Sequence, residues 1–338
     1  MPLFTVDFDD DDPLFSVNFH PEKPEFVVGL ATGRVTYYEY AAGAPTEVWS
    51  TKRHKGSCRA LAYTQTGEHI VSVGADGVVK KFAARTGKVT AKASVAAGGA
   101  ALCVNEDYVV VGDDDGNVHA LKLADLKLHR RYDLADTDAV TAVCALPVNR
   151  HNFAVAADMR LVRIDVRKDE PVSFSEDQED EILCGCVPSE GRSAWGMSEG
   201  VVTVWNNRGL GDQQRRVRLT ADGSVDAILA GELDDRALAG TSEGIVYEID
   251  VNAGKVLHRA PHSARDDVSY LDYDYEYRLV SGSMSLLKVW TANELEEVEA
   301  ELAELARQQP PNKKAKKDKA KKAKAATPKP SPFADLMD

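Results

Sequence analysis

The sequence predicts an all-β protein that folds as a seven-bladed β-propeller. A tight acidic-Gly turn, followed by a strand that ends on a large apolar residue, recurs seven times, as in Gly74 to Phe82, Ser198 to Trp205 and Ser242 to Ile249. Successive strand ends are separated by 44, 39, 43, 41, 44 and 41 residues, and a period near forty is typical of WD-repeat blades of four short strands. The seven strand ends are Tyr38, Phe82, Leu121, Ile164, Trp205, Ile249 and Trp290.

The repeats place the propeller in residues 1–291. No strand pattern follows Trp290, so blade seven lacks an outer strand in its own segment. Residues 3–8 alternate apolar and polar side chains, and we expect this N-terminal strand to complete blade seven and close the ring, because closure removes open sheet edges. Helical apolar spacing predicts a short C-terminal helix over residues 292–309. Residues 310–338 are rich in Lys and Pro and predict a disordered basic tail.

Charge is divided unevenly along the chain. The formal net charge is −13, yet residues 307–338 hold ten cations and three carboxylates, so the first 306 residues carry −20. The lysine run indicates a nuclear or nucleolar localisation signal and weak, non-specific contact with RNA phosphates. A tail that only solubilises the protein is the alternative. The lysines concerned are Lys313, Lys314, Lys316, Lys317, Lys319, Lys321, Lys322 and Lys324.

No motif for catalysis or for holding a cofactor is found in the sequence. A phosphate loop, a nucleophile elbow and a metalloprotease motif are all missing. Cys184 and Cys186 lack two further ligands for tetrahedral zinc, and the turn Asp113 to Gly116 lacks the distal Glu of a calcium loop. We therefore expect no enzyme activity, cofactor or metal. The acidic runs 9–12 and 175–181 are interpreted as solvated loops or as docking patches for a basic partner.

The acidic N-terminus and the positions of the cysteines indicate an intracellular protein. Residues 1–12 are acidic and do not form a secretory leader, and no apolar run reaches transmembrane length. The five cysteines fall in predicted innermost strands, where we expect buried free thiols in a reducing compartment. No membrane contact is expected.

A buried network of His, Ser or Thr, Asp and Trp often clamps blades of the WD-repeat type. Blade two retains most of it, with Phe82 in place of the Trp. The other blades have lost members of the network, so we expect packing to hold them. The candidate clamp residues are His54, Ser72, Asp76, Trp205, His262 and Trp290.

Several ordered stretches together resemble the nucleolar WD-repeat proteins of large ribosomal subunit biogenesis, the yeast Jip type and its vertebrate relatives. The resemblance spans the whole chain and includes the Lys-rich tail. It implies a non-enzymatic scaffold for large-subunit rRNA processing and pre-ribosome assembly in the nucleolus. We expect a monomeric ring within a larger assembly, which binds pre-ribosomal proteins through the propeller and pre-ribosomal RNA weakly through the basic tail. The stretches are Phe15 to Pro21, Val28 to Val35, Gly196 to Asn206, Ser224 to Ile228, Gly244 to Tyr247 and Phe333 to Leu336.

A second function remains open, that of a substrate receptor of a cullin-RING ubiquitin ligase. Some WD propellers dock the ligase adaptor through a Trp-Asp-x-Arg stretch at a blade end. The stretch Ile164 to Arg167 resembles it, with Ile in place of Trp. Asp165 and Arg167 are then the candidate docking residues, and an ordinary strand end with a solvated Arg is the other interpretation.

Overall fold

The computed structural model describes residues 2–291, apart from residues 42, 135, 136, 138, 264 and 265. These residues lie in the compact unit Met1–Glu296. The described strands form seven four-stranded antiparallel sheets. The predicted helix over 292–309, the predicted tail over 310–338 and the second compact unit, Glu297–Asp338, lie outside the described residues.

The strands are numbered in chain order, and β1 (Phe4–Asp7) belongs to the last blade. Blades one to three contain β2 (Leu14–Phe19), β3 (Glu25–Leu30), β4 (Arg34–Glu39), β5 (Thr46–Lys52), β6 (Cys58–Tyr63), β7 (His69–Gly74), β8 (Val78–Ala83), β9 (Val89–Ser94), β10 (Gly99–Val104), β11 (Tyr108–Asp113), β12 (Asn117–Lys122) and β13 (Leu128–Asp133).

Blades four to seven follow the same order. They contain β14 (Val140–Ala145), β15 (Asn152–Ala157), β16 (Arg160–Asp165), β17 (Ser173–Phe174), β18 (Ile182–Ser189), β19 (Arg192–Met197), β20 (Val201–Asn206), β21 (Gln213–Arg218), β22 (Val225–Ala230), β23 (Arg236–Thr241), β24 (Ile245–Asp250), β25 (Lys255–Pro261), β26 (Tyr270–Tyr273), β27 (Leu279–Gly282) and β28 (Leu286–Val289).

The sheets form a closed ring. The first strand of each blade contacts the first strands of both neighbouring blades. For β2 these neighbours are β6 of blade two and β26 of blade seven, so the first and last blades are in contact. These first strands are innermost, and the fourth strands form the outer rim. The predicted all-β, seven-bladed propeller is confirmed.

Local sequence explains the repeated hairpin of each blade. Second strands such as β3 and β11 are buried along their whole length, because neighbouring blades cover both faces, and such strands are rich in Val. The turn that follows needs a left-handed residue, which is Gly77 in blade two, with φ of 64°. Blade four lacks a Gly there, and Asp158 adopts φ of 55° instead, a conformation that Asp tolerates better than most residues.

The ring is closed by strands from opposite ends of the propeller. Strand β1 pairs antiparallel with β28, with Phe4 opposite Val289. The Phe4 ring packs between blades seven and one, 5.0 Å from the ring of Tyr40 and 6.0 Å from that of Phe26. The structure thus places the N-terminal strand as the outer strand of blade seven.

A polar chain joins blades seven, one and two at their innermost strands. Asp272 Oδ2 accepts hydrogen bonds from Asn18 Nδ2 at 2.9 Å and from the Phe19 amide at 2.8 Å. Asn18 Oδ1 in turn accepts the Tyr63 amide at 2.8 Å. Burial raises the pKa of Asp272 to about 6. The closing contact is therefore polar at the channel and apolar at the rim.

Candidate functional site

Blade two contains the most complete clamp. His54 Nδ1 lies 3.0 Å from Asp76 Oδ1, and its Nε2 lies 2.9 Å from Ser72 Oγ. The amides of Lys55 and Val78 donate to Asp76 at 3.0 and 3.2 Å. The clamp thus ties the chain that enters the blade to the turn between its second and third strands.

The local environment shifts the pKa values of both charged partners in this clamp, His54 and Asp76. Burial lowers the pKa of His54, although Asp76 opposes this effect. Burial by itself raises the pKa of Asp76, but hydrogen bonds from the Lys55 amide and His54 outweigh it, so the pKa of that carboxyl lies below its usual value. A neutral imidazole and a carboxylate therefore face each other at neutral pH.

Replacing the clamp carboxylate tests its contribution to stability. We expect Asp76→Ala to lower the free energy of unfolding by about 1–3 kcal/mol, because His54 and two amides lose their acceptor. Chemical denaturation measures this change. Asp115 occupies the same turn position in blade three and is exposed, so Asp115→Ala is the matched control and should cost much less. Equal losses in the two variants would remove the clamp as the cause.

Blade seven has a reduced clamp. His262 Nδ1 and Trp290 Nε1 each lie 2.7 Å from Ser281 Oγ. His262 Nε2 is buried without a partner in the described part of the chain. Burial lowers the pKa of His262 to about 4, with help from the charge of Lys288. The imidazole is consequently neutral near pH 7 and serves to pack the blade.

Trp205 in blade five makes a different contact from the one expected of a clamp. Its Nε1 donates to Thr203 Oγ1 at 3.0 Å. The position that Ser72 fills in blade two holds Trp195, directly opposite Gly185 on the innermost strand. Both indoles are fully buried. Aromatic packing therefore replaces the polar clamp in this blade.

Blade three contains a buried pair that the sequence analysis missed. His119 Nε2 lies 2.8 Å from Asp113 Oδ2, and Asp113 Oδ1 accepts the amides of Asp115 and Asn117. Asp113 stands at the position that Gly74 fills in blade two, two residues before the position of the clamp residue Asp76. The turn interpretation of this acidic segment is thus the one that the geometry supports.

Asp165 and Arg167 form an internal ion pair at the end of β16. Arg167 Nε and Nη2 donate to the two carboxylate oxygens of Asp165 at 2.9 and 2.6 Å. These bonds hold the pKa of Asp165 at about 2. The Arg167 side chain is 57% exposed, and its Nε and Nη2 are already engaged by Asp165.

The acidic run 175–181 is partly structural. Asp180 accepts the Ser198 hydroxyl and the Glu199 amide at the start of the blade-five turn. Glu179 lies 3.1 Å from Arg216 Nη1. These bonds bind the segment to blade five, whereas in the run 9–12 the Asp12 carboxylate accepts bonds from Thr32 in blade one.

An acidic recess of about 530 Å³ opens among the loops that join first and second strands. Its lining spans blades two to six and includes Glu106, Glu190, Asp234 and a single cation, Arg150. In the equivalent loop of blade seven, Tyr277 is 70% exposed. A negative recess suits a basic partner segment, and the exposed ring of Tyr277 offers a contact for an apolar side chain.

Buried thiols and side-chain clusters give no sign of reaction chemistry in the described residues. All five cysteines are free, and burial raises the pKa of Cys58 to about 12 and that of Cys103 to about 11. Within the described ranges no cluster of three or more His, Cys, Asp or Glu could hold a metal ion. The same part of the chain contains no helix that could span a membrane.

Comparison with known proteins identifies the repeat family. Residues 75–286, from the turn of blade two to the last strand of blade seven, match the family model described as outer membrane protein assembly factor BamB. The match covers more than half of the chain. The chain belongs to this repeat family. The matched residues coincide with blades two to seven of the structure.

The curated relatives are WD-repeat proteins. The chain is 34% identical over 274 residues to the WD repeat-containing protein JIP5 of Saccharomyces cerevisiae. This alignment covers 72% of the chain and 56% of the relative. The chain is 35% identical over 276 residues to the Candida glabrata protein of that name, which covers 72% of this chain and 54% of the relative. The chain is thus a WD-repeat propeller and spans about half the length of these relatives. Proteins of this class are generally non-enzymatic scaffolds that present binding surfaces.

Proposed function

We propose that this protein is a non-enzymatic scaffold for large ribosomal subunit assembly in the nucleolus. The observation that carries the proposal is the separation of charge. A ring with net negative charge presents the acidic recess to protein partners, and the lysine-rich segment that follows the ring in the sequence supplies a contact for RNA phosphates. The ribosomal role itself rests on the resemblance of the ordered stretches and the tail to the nucleolar family.

The ring is suited to this role because its rigid elements fix the loops. Innermost strands of neighbouring blades touch all around the channel, so loops from blades two to six keep constant spacing. Ser189 and Arg192 of blade five bond Asp235 of blade six at 2.7 and 2.9 Å, beside the recess. Binding a partner then requires little ordering of the scaffold, which lowers the entropic cost of association.

Depletion of the protein tests the proposal as a whole. We expect precursors of large-subunit rRNA to accumulate while the small-subunit rRNA matures normally, and pre-ribosomal proteins to co-purify with the tagged chain. Unaltered rRNA processing would contradict the proposal. Recovery of a cullin-RING adaptor that is lost in Arg167→Ala would support the receptor function instead.

Neutralising the tail tests localisation. When all eight lysines between 313 and 324 are changed to Gln, we expect a fluorescent fusion to leave the nucleolus, because the charge that contacts phosphates is gone. The matched control changes the same eight lysines to Arg, keeps the charge and should stay nucleolar. Nucleolar signal from the Gln variant would show that another element targets the protein.

A further inference from the structure

In addition to the lysine-rich tail of the sequence, the ring has a positively charged site of its own. We name it the basic recess, a cavity of about 350 Å³ at the junction of blades one and two, lined by Lys52, Arg53, His54, Lys55, Asp76, Val78, Lys80 and Lys92. Five of these eight residues are cations and one is a carboxylate. This balance is opposite to that of the first 306 residues as a whole, which carry −20.

The fold assembles the recess from three separate parts of the chain, residues 52–55, residues 76–80 and Lys92. Lys52 ends β5 of blade one, and Lys55 lies in the connection that follows. Lys80 on β8 stands directly opposite Lys92 on β9. Like charges in this arrangement destabilise a sheet, yet within the described residues no carboxylate forms a salt bridge with either lysine.

The other charged groups of the recess are already occupied. The Arg53 guanidinium lies 4.7 Å from the Phe82 ring centroid and donates to the Gly87 carbonyl. The Asp76 carboxylate belongs to the clamp. Lys80 Nζ donates to the Arg53 carbonyl, and burial lowers its pKa, an effect that Asp76 opposes and that Lys92 and Arg53 reinforce. Five cations face the single carboxylate of Asp76, so the recess keeps a net positive charge.

We propose that the basic recess binds the phosphates of a nucleic-acid backbone. Lysine ammonium groups are compact point charges that bind phosphates in many orientations. The one guanidinium that lines the recess, that of Arg53, already contacts the Gly87 carbonyl and the Phe82 ring. The lining offers no exposed aromatic ring for base stacking, so the contact reads backbone rather than sequence.

The position of the recess also favours a long polyanion. Lys52 and Lys92 lie on β5 and β9, the outermost strands of adjacent blades, and both side chains are exposed. A strand of nucleic acid can run along this rim and place successive phosphates near successive blades. The inference concerns ring residues alone and does not rest on the proposed function or on the tail.

Binding of labelled single strands to the full chain tests the site. The eight tail lysines are first changed to Gln, so that only the ring contributes. In this background, Lys52→Gln, Lys55→Gln and Lys92→Gln together should weaken binding of a short single-stranded RNA about tenfold and reduce the slope of log affinity against log salt by about 2. These three side chains are exposed, so folding should be preserved, which circular dichroism checks.

The matched control removes the same charge elsewhere. Lys23, Lys168 and Lys255 are exposed lysines that do not line the basic recess, and changing them to Gln should leave affinity and salt slope nearly unchanged. Single-stranded DNA of the same length separates the sources, since equal binding indicates backbone phosphates in general and stronger RNA binding indicates RNA. Equal losses in both triple variants would overturn the proposal. Selective competition by a phosphoserine peptide, without competition by DNA, would also overturn it.

Discussion

Deletion of residues 2–8 is expected to lower the melting temperature by about 10 °C or more, a shift that corresponds to several kcal/mol in a protein of this size. The deletion removes β1, which pairs along the whole of β28. It also uncovers Leu287 and Val289, which are fully buried in the intact ring. Differential scanning calorimetry measures the change.

The two faces of β1 provide a matched control for that deletion. Phe4 points into the cluster between blades seven and one, whereas Thr5 is exposed. Phe4→Ala should cost about 3–5 kcal/mol as a core truncation. Thr5→Ala keeps the strand and its ladder and should cost far less. Similar losses in the two variants would contradict the assigned packing.

The open edge left by the deletion provides a second measurement. An unpaired β28 can recruit another strand, so the truncated chain should self-associate in light scattering. A synthetic peptide of residues 1–10 added in trans should restore the melting temperature and suppress association. An unchanged transition after deletion would show that β1 does not contribute to ring closure.

Substitution of Gly185 by Ala is expected to cost about 1–3 kcal/mol as overpacking. A Cβ at Gly185 would lie 2.3 Å from Cε3 of Trp195, and both residues belong to paired strands with little room to move. Trp195→Ala by itself should cost about 3–5 kcal/mol, since the indole is fully buried. Unfolding by denaturant measures both values.

The combination of these two changes isolates their contact. In the Trp195→Ala background the Ala at position 185 no longer meets a ring, so its added cost should fall close to zero. A Cβ at Gly191 in the same blade would meet no atom within 4 Å, so Gly191→Ala is the control that should be neutral in both backgrounds. A cost at position 185 that does not depend on residue 195 would refute the contact.

The candidate sites differ in how far the sequence could predict them. His54, Ser72 and Asp76 were recognised together because a clamp repeats at fixed offsets from each turn. The Asp113–His119 pair escaped notice because Asp113 lies two residues before the position of the clamp Asp, so its offset from the turn is different. The sequence shows that blade five has Trp195 where blade two has Ser72. It does not show that Trp195 packs against Gly185, because that contact joins two neighbouring strands.

The sequence by itself determined the number of blades, the hairpin at each turn and the separation of a basic segment from an acidic body. Those features depend on local spacing and on charge, which can be read directly along the chain. Only the tertiary structure decided how Lys52 and Lys55 meet Lys80 and Lys92, and how five loops enclose the acidic recess. These contacts join neighbouring blades, and the periodicity that specifies a blade contains no information about which side chains face each other across the gap.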